Sequence, residues 1–412
     1  MKKIKRVYFM HILIIHQIFV TPKEGGGTRH YELARSLVQM GHRVTVVASN
    51  VDYLSGRLKC KKQDYLEGIN IIYSRTYSAL HKNIFWRGVA FFSFAFSSFL
   101  DGMKVSDVDV VWGTSPPLFQ VFTAWLVSFF KRKPFIFEVR DLWLDFAKDL
   151  GVVKSKFLYN IFKVLERFLY KRANKLIVNS PGFIPYIKAF VAIDDIALVP
   201  NGVSIEEFEN IDKLNMEKIR AELLVADKFV VMYTGNMGVA NDLDTIIDAA
   251  EKLKDMKDIV FYFVGGGMRK LELEKSCKDK KIKNVIFVGS YPKEHIPAVI
   301  DCADVCIATL KDIELFKTTY PNKIFDYMAA SKPIVLGIEG VIKDVVEKAN
   351  CAICVRPGSV EEVVVAIETY CKDQELRNLH SINGHNYVKK HFERQRIARK
   401  LEVVLKELVY GK

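Results

Sequence analysis

Cysteine is scarce in this 412-residue sequence, and long apolar runs are absent. The seven cysteines are odd in number and irregularly spaced, which excludes a disulfide framework and indicates a reducing compartment. The longest uncharged apolar run covers residues 88–100, whereas a helix needs about 18 apolar residues to span a bilayer. We therefore expect a cytoplasmic protein without a membrane-spanning helix.

Acidic residues are few in the first half. Residues 1–200 contain 29 Lys and Arg against 15 Asp and Glu, whereas residues 201–412 contain 32 against 33. A basic half predicts an anionic partner. No nucleic-acid motif is present, so an anionic membrane surface is the better prediction. The segments expected at that surface are the aromatic-rich stretches 84–100 and 154–175 and the basic cluster 131–133; for 154–175 an ordinary amphipathic helix is an equal alternative.

The start of the sequence combines basic residues with an apolar run, as secretory signals do. His11, His16 and Gln17 interrupt that run, and no small-x-small cleavage site follows. We therefore expect residues 10–18 to form the first strand and residues 1–9 to be an extension.

Short apolar runs alternate with amphipathic stretches, which is typical of parallel sheets covered by helices. Strands are expected at 12–15, 44–48, 69–73, 108–112, 135–137, 176–178, 229–233, 260–264, 285–288, 305–308, 334–336 and 352–355. The turn sequence Pro-Asn-Gly at 200–202 marks a boundary. The predicted fold is α/β with two Rossmann-like domains, 10–203 and 228–390, joined by a linker at 204–227. A C-terminal helix at 391–412 is expected to pack back towards the first domain.

Three glycine-rich loops follow predicted strands, at the edge where open α/β sheets bind ligands. Residues 25–32, 233–238 and 264–270 each lead from a strand into a helix, where backbone N–H groups favour a phosphate. For the first loop, a flexible turn is the alternative. A dinucleotide site is disfavoured, because the spacing is not G-x-G-x-x-G and no acid ends the second strand.

Two further motifs are charged. Lys323 and Asp326 share one helix face, where a Lys can neutralise phosphate and a carboxylate can accept both ribose hydroxyls; a surface ion pair is the alternative. Glu138, Arg140 and Asp141 directly follow a predicted buried strand. Because unpaired buried charges are costly, we expect these three in a cleft or paired with each other.

Metal binding is disfavoured. The Asp-x-Asp pair at 107–109 leads into a strand, and the pair at 242–244 opens a helix, where acids suit the dipole. Cys351 and Cys354 lie in an apolar run with no histidine nearby. We therefore expect no metal site.

The motifs together resemble a known family. GGGTRHYELA at 25–34, EVRDLW at 138–143, PNGV at 200–203, GNMG at 235–238 and YPNKIFDYMA at 320–329 are similar, in order and spacing, to motifs of the family 4 (group 1) glycosyltransferases. The resemblance covers nearly the whole chain. It is closest to the bacterial O-antigen and capsule branch that includes N-acetyl-L-fucosamine transferases.

The resemblance implies a GT-B fold, in which two Rossmann-like domains face a cleft. It also implies a nucleotide-diphosphate sugar in the C-terminal domain, an acceptor on the N-terminal domain, retention at the anomeric carbon, and neither a metal nor a cofactor. Asp326 is expected to hold the ribose, Lys323 the diphosphate, and Thr28, Arg29 and His30 the acceptor. The other residues expected around the donor are Gly26, Gly27, Gly235, Asn236, Gly238, Gly265, Gly266, Gly267, Arg269, Thr318 and Asn322.

Some positions depart from the family pattern. Thr318 stands where the family has a sugar-contacting glutamate, which leaves the sugar identity open. Asn236 and Asn241 replace an Arg and a Lys, so Lys323 has to meet much of the diphosphate charge. Further cations considered for that charge are Arg269 and Lys317.

Arg140 takes the place of a frequent cleft histidine. It stays protonated and so cannot accept a proton, but it can stabilise charge on the leaving phosphate. Glu138 and Asp141 are expected to orient the acceptor or to pair with Arg140. These three residues and Lys323 are the expected catalytic residues; no general base is assigned, because the leaving phosphate can take the proton.

The predicted function is transfer of a sugar, favouring a UDP-linked N-acetylated or deoxy hexose, to a lipid-linked saccharide in cell-surface polysaccharide biosynthesis. The predicted location is the cytoplasmic face of the plasma membrane, as a peripheral protein. A nucleotide-sugar 2-epimerase of the same fold is the alternative enzyme, although no clear set of carboxylates and histidine for proton abstraction is seen. A sugar-nucleotide-binding membrane protein that has lost catalysis is the non-enzymatic alternative.

Overall fold

The chain forms two compact units. A computed structural model describes residues 9–22, 24, 26–52, 56–79, 84–149, 151, 153, 155–191, 196–225 and 228–411. The first unit runs up to Pro200 and also includes Ile397–Lys412, and the second is Asn201–Arg396. The predicted extension, apart from Phe9, lies outside the described residues, and so does Gly25 of the first glycine-rich loop.

The first unit is built on an eight-stranded sheet. Its strands are β1 (His11–Ile15), β2 (Arg43–Ser49), β3 (Gln63–Leu66), β4 (Ile69–Ser74), β5 (Val110–Ser115), β6 (Phe135–Val139), β7 (Lys175–Val178) and β8 (Ile196–Leu198). Their order is β3-β4-β2-β1-β5-β6-β7-β8, and neighbours are parallel except for β3 against β4. Every residue of β1, β5, β6 and β7 is buried, as expected for parallel strands covered on both faces.

The first strand is shorter than the predicted 10–18. The His16 amide still donates to the Val47 carbonyl at 3.0 Å, but the Gln17 amide turns away to the side-chain oxygen of Gln120 at 2.5 Å. The Gln17 carbonyl still accepts from the Ser49 amide at the end of β2, at 3.0 Å. Beyond it the chain begins the loop that leads to the first helix.

Helices connect these strands. They are α1 (Arg29–Gln39), α2 (Ile84–Lys104), α3 (Leu118–Lys131), α4 (Trp143–Asp149), α5 (Lys156–Arg172) and α6 (Phe183–Lys188). Crossovers from β4 to β5, β5 to β6 and β6 to β7 all move in one direction along the sheet. Because parallel crossovers are right-handed, α2, α3 and α5 lie side by side on one face.

The second unit has a six-stranded parallel sheet. Its strands are β9 (Phe229–Thr234), β10 (Ile259–Val264), β11 (Val285–Val288), β12 (Val305–Thr309), β13 (Ile334–Gly337) and β14 (Ala352–Cys354), in the order β11-β10-β9-β12-β13-β14. Its helices are α7 (Ile205–Glu209), α8 (Lys213–Leu223), α9 (Leu243–Lys252), α10 (Lys270–Asp279), α11 (Ile296–Asp301), α12 (Asn322–Ala329), α13 (Val341–Ala349), α14 (Val360–Lys372) and α15 (Gln374–His391). The predicted α/β fold with two parallel-sheet domains is confirmed.

Two segments lie outside the two predicted domains, and both are helical. The stretch 204–227, predicted as a linker, contains α7 and α8, and the Leu223 carbonyl accepts a hydrogen bond from the buried Tyr262 hydroxyl. The last helix, α16 (Arg394–Tyr410), belongs to the first unit. There the Glu402 carboxylate lies 2.9 Å from the His42 ring. Among the described residues, none of the helices combines the length and apolar character that crossing a bilayer demands.

Candidate functional site

Glu138 is the centre of a charged cluster at the carboxyl edge of the first sheet. Its carboxylate, fully buried on β6, accepts hydrogen bonds from Arg29 at 2.8 and 3.0 Å and contacts Nε2 of His30 at 2.6 Å. Burial alone would raise the pKa of Glu138, but His30 and Arg29 hold it well below its usual range. Glu138, Arg29, His30 and the adjacent His16 form the Glu138 cluster.

The first turn of α1 supplies both partners of Glu138. Arg29 also donates to the carbonyls of Val199 and Pro200, at 2.6 and 2.7 Å, so it links α1, β6 and the segment after β8. The Arg29 guanidinium, which was expected to contact an acceptor, is therefore hydrogen-bonded to groups of the protein itself. The neighbouring Thr28 hydroxyl bonds to Glu32, which is also on α1.

Two neighbouring histidines with mutually tilted rings complete the Glu138 cluster. The rings of His16 and His30 lie 4.2 Å apart. Burial lowers the pKa of His30 to about 4 although Glu138 opposes the shift, and burial lowers the pKa of His16 well below its usual range. Both histidines are therefore neutral at pH 7. Within the described part of the chain, neither ring nitrogen of His16 has a hydrogen-bond partner.

Arg140 and Asp141 follow Glu138 but do not share its hydrogen bonds. The Arg140 side chain donates to the Ser115 carbonyl at 3.4 Å. Burial raises the pKa of Asp141 to about 7, against the opposing charge of Arg140. The expected pairing of Glu138 with Arg140 is replaced by direct bonds from Glu138 to α1. Of the preceding glycines, Gly26 has a φ of +134° and packs against Val20.

Two glycine-rich loops meet at the carboxyl edge of the second sheet. They follow the adjacent strands β9 and β10, and they bond to each other: the Met237 amide donates to the Gly266 carbonyl at 2.6 Å, and the Arg269 amide donates to the Met237 carbonyl at 3.1 Å. A Cβ at Gly265 would lie 2.1 Å from the Gly235 carbonyl oxygen. Glycine at 265 is therefore required for one loop to lie against the other.

Gly267 has the same packing role, since a Cβ there would lie 2.5 Å from the Met237 carbonyl oxygen. Asn236 contributes its carbonyl, which accepts from the Tyr233 hydroxyl at 2.7 Å. A Cβ at Gly238 would lie 2.8 Å from the Asn236 side chain.

Lys323 lies above these loops, on the first turn of α12. One turn later, the Tyr327 hydroxyl accepts from the Thr234 amide at 2.9 Å, which fixes α12 to the end of β9. The Lys323 ammonium is 3.8 Å from the centre of the Tyr233 ring and 3.3 Å from the position of a Cβ at Gly235. Burial lowers the pKa of Lys323 to about 7.

The charge of Lys323 is not compensated by a carboxylate in the part of the chain that the structure describes. The two other cations considered for the diphosphate are compensated. Arg269 forms a two-pronged ion pair with Asp244, at 2.6 and 3.1 Å, and a second with Glu272 at 2.7 Å. Lys317 lies 2.5 Å from Glu314. Among the predicted donor-site cations in the described part of the chain, Lys323 is therefore the one whose charge is available to a bound anion.

Asp326 has two neighbours that the sequence analysis missed. Burial raises the pKa of Asp326 to about 6, Lys293 opposes this shift, and Glu207 adds to it. Lys293 follows β11 and Glu207 lies on α7, so both come from segments without a recognisable motif. Nearby, the Thr318 hydroxyl donates to the Leu315 carbonyl at 2.6 Å.

Asn322 and the two Asp-x-Asp pairs form hydrogen bonds or ion pairs within the protein. Asn322 accepts from the Asn201 side chain. In the Asp-x-Asp pair that opens α9, Asp242 accepts from the Thr245 hydroxyl at 2.7 Å, and Asp244 pairs with Arg269. Asp109, from the other pair, accepts from the His11 amide at 2.8 Å.

Two family models match the chain. Residues 24–202 match the glycosyl transferase 4-like domain, and residues 228–373 match the glycosyl transferases group 1 domain. The chain belongs to the glycosyltransferases. The first match contains Glu138, Arg29 and His30, and the second contains both second-unit loops and Lys323.

Solved structures show the same fold. Sucrose-phosphate synthase from Thermosynechococcus elongatus has a TM-score of 0.78 at 17% sequence identity. The alignment covers 98% of this chain and 100% of the synthase chain. Anabaena HepE in complex with UDP-glucose has a TM-score of 0.74 at 17% identity and covers 97% and 100%. Both likenesses support the GT-B fold and, at these identities, the fold alone.

A curated relative gives a closer sequence match. The putative colanic acid biosynthesis glycosyl transferase WcaI of Escherichia coli (strain K12) is 24% identical over 317 residues, which are 74% of this chain and 76% of that protein. The narrower resemblance to N-acetyl-L-fucosamine transferases stays a prediction.

Proposed function

We propose that this glycosyltransferase moves a sugar from a UDP-linked donor to a lipid-linked saccharide, with retention at the anomeric carbon, during synthesis of a cell-surface polysaccharide. The similarity to a colanic acid biosynthesis protein supports the class of product. The match to a fold solved with UDP-glucose supports the class of donor. The resemblance of the motifs supports retention.

The observation that carries the proposal is the uncompensated ammonium of Lys323 above two interlocked glycine-rich loops. A diphosphate supplies the anion that this ammonium lacks within the described residues, and glycine loops let phosphate oxygens approach the backbone. The pKa of about 7 should rise when a diphosphate binds, because a bound anion favours the charged form. In the transition state, the same ammonium stabilises charge on the leaving phosphate.

Asp326 is proposed to hold the ribose. Its carboxylate lies on the α12 turn that carries Lys323, and the nearby Lys293 favours its ionised form. The first unit is proposed to bind the acceptor, with the Glu138 cluster fixing the start of α1 and Arg140 and Asp141 presented by the loop after β6. The proposed location is the cytoplasmic face of the membrane that carries the lipid-linked acceptor.

A direct assay tests the proposal. The protein is incubated with a panel of UDP-sugars and a lipid-diphosphate monosaccharide, and the products are separated and analysed by mass spectrometry. A lipid-linked disaccharide is expected with one donor of the panel. The NMR coupling constant of its new anomeric proton should match that of the donor, as retention requires.

Two variants connect the assay to the site. Lys323→Met should lose transfer, whereas Lys317→Met, which removes a lysine already paired with Glu314, should keep it. Conversion of a UDP-sugar to its 2-epimer without any transfer product would contradict the proposal and favour the epimerase. Binding of UDP-sugars without any chemistry would favour a protein that has lost catalysis.

A further inference from the structure

The outer surface of α2, α3 and α5 is apolar and exposed. Phe96 on α2, Phe129 on α3 and Phe157 on α5 are 69%, 63% and 73% exposed, whereas phenylalanine is normally buried. Together with these three, the aromatic face consists of Trp86, Phe92, Leu100, Phe130, Leu158, Ile161 and Val164. A concentration of exposed apolar side chains on neighbouring helices indicates an interaction surface.

Ring contacts make the aromatic face continuous across the three helices. Phe119 on α3 lies 4.7 Å from Phe92 on α2 and 5.6 Å from Phe162 on α5, measured between ring centres. Further along α3, Trp125 contacts Phe168 of α5 at 4.9 Å. Because α3 lies between the other two helices and touches both, they present one surface.

The charge around the aromatic face is mainly positive. Helices α2, α3 and α5 carry eight basic and two acidic residues, and both acids are paired: Asp101 accepts from Lys104 at 3.0 Å, and Glu166 pairs with Lys163. The basic residues at or just beyond the C-terminal ends of the three helices are Lys104, Lys131, Arg132, Lys133, Lys171 and Arg172.

This charge pattern distinguishes between two candidate binding partners of the aromatic face. A second copy of the chain, packed face to face, would bring like charges together. An anionic lipid surface instead complements the basic helix ends, and its acyl region accepts the phenylalanines. Apolar helices bordered by Lys and Arg are typical of proteins that lie in the membrane interface.

The basic cluster 131–133 contributes less than its sequence suggests. The Lys131 ammonium donates to the carbonyls of Met103 and Val105, at 2.9 and 2.6 Å, and it therefore closes the end of α2. Arg132 and Lys133 are the cluster's exposed cations. Apolar contact is thus expected to carry a larger share of membrane binding than charge does.

We propose that the aromatic face is a docking surface for an anionic lipid bilayer, with its phenylalanines inserted at the boundary of headgroups and acyl chains and Arg132 and Lys133 on the headgroups. This inference deepens the proposed function and rests on it only in that a lipid-linked acceptor places the reaction at a bilayer.

Vesicle sedimentation tests the inference. The probe is vesicles of phosphatidylcholine with phosphatidylglycerol. The combined variant Phe96→Gln and Phe129→Gln should lower the vesicle partition coefficient at least about tenfold. Its matched control, Leu214→Gln with Leu271→Gln, changes equally exposed apolar residues of the second unit and should bind like the wild type. Part of the wild-type binding should persist at high salt, because apolar contact is not screened.

Tryptophan fluorescence locates the contact. Vesicles with brominated acyl chains should quench the wild-type protein more than the Trp86→Phe variant, because Trp86 lies in the aromatic face whereas Trp112 is buried in the core. Equal quenching of the two proteins would contradict insertion of this surface.

Several outcomes would overturn the inference. These are equal vesicle binding by the wild type and the phenylalanine variant, no vesicle binding by either, and a wild-type dimer that the phenylalanine variant disperses. Transfer to a short-chain, water-soluble acceptor should be unchanged in that variant, and its melting temperature should be unchanged because both substituted side chains are exposed. A wild-type protein that binds vesicles but transfers no sugar to any acceptor would contradict the proposed function instead.

Discussion

In the first unit Glu138 is fully buried and meets the Arg29 guanidinium and the neutral His30 ring. In the second unit the partly buried Lys323 ammonium has no carboxylate partner among the described residues. Both groups lie at the carboxyl edge of a parallel sheet, so their place in the fold is the same. The pKa of Glu138 is held well below its usual range, and that of Lys323 is lowered. Folding therefore favours the charged form of the first group and disfavours that of the second.

This difference separates a charge that stabilises the fold from one that is available to a ligand. A compensated buried charge adds to stability once its partners are in place, and removing one partner is costly. An uncompensated buried charge lowers the free energy of unfolding. A ligand of opposite sign pairs with that charge on binding and thereby removes this destabilisation. The four predictions below test this distinction, beginning with the largest expected effect.

Replacing Glu138 should give the largest loss of stability. Glu138→Ala leaves the Arg29 guanidinium buried without its carboxylate, which should cost about 3–5 kcal/mol of the free energy of unfolding. Urea unfolding followed by circular dichroism measures the loss. Arg35→Ala is the control, because it breaks an exposed ion pair with Glu67 and should cost less than about 1 kcal/mol. Similar losses in the two variants would contradict the structural role of Glu138.

Replacing Lys323 should weaken donor binding without lowering stability. Lys323→Met removes a charge-assisted contact worth about 1.5–3 kcal/mol, or one to two decades of UDP affinity. It should not lower the melting temperature, because folding disfavours the ammonium. Calorimetry should also show a smaller loss for uridine than for UDP, whereas Asp326→Ala should weaken both ligands alike. An equal loss of uridine and UDP affinity in Lys323→Met would contradict the assignment of Lys323 to the diphosphate.

The pH dependence of donor binding should follow Lys323. The pKa of its ammonium is about 7, so the charged form is present below pH 7 and is lost as the pH rises above it. UDP-glucose affinity should then fall by up to about tenfold per pH unit above 7. Lys323→Arg should flatten this slope, since arginine stays protonated. A wild-type affinity that is constant from pH 6 to about 8.5 would show that another group meets the phosphate.

Replacing Arg269 should have the smallest effect. Its charge is already compensated by Asp244 and Glu272, so Arg269→Gln should cost about 0.2–1 kcal/mol of stability. UDP-glucose affinity, measured by calorimetry, should change less than about threefold, which is below 1 kcal/mol. A tenfold loss would show that Arg269 leaves its carboxylates for the diphosphate, and the distinction between paired and available cations would then fail.

The strands were largely predictable from the sequence because those of a doubly covered parallel sheet are continuous apolar runs. The two strands that were missed are not covered on both faces. β3, with the sequence Gln-Asp-Tyr-Leu, is at most half-buried, and β8 has only three residues at a sheet edge. Both are held by pairing with a neighbour rather than by their own pattern.

The candidate site was predictable in its positions and less so in its partners. Lys323 stands in a recognisable motif, and its lack of a carboxylate became visible only in three dimensions. Arg29 and Glu138 were both singled out, but 109 residues separate them, and the sequence does not show that one binds the other. Lys293 and Glu207 lie near Asp326 without any local signal.

The return of α16 to the first unit has a consequence for the order in which the molecule is made. The second unit is inserted between the body of the first unit and its last helix, so a chain growing from its N-terminus completes the second unit before the first. Until Ile397, Leu401 and Leu405 emerge, the surface they cover stays open, and His42 lacks Glu402. The first unit thus begins to fold first and finishes last.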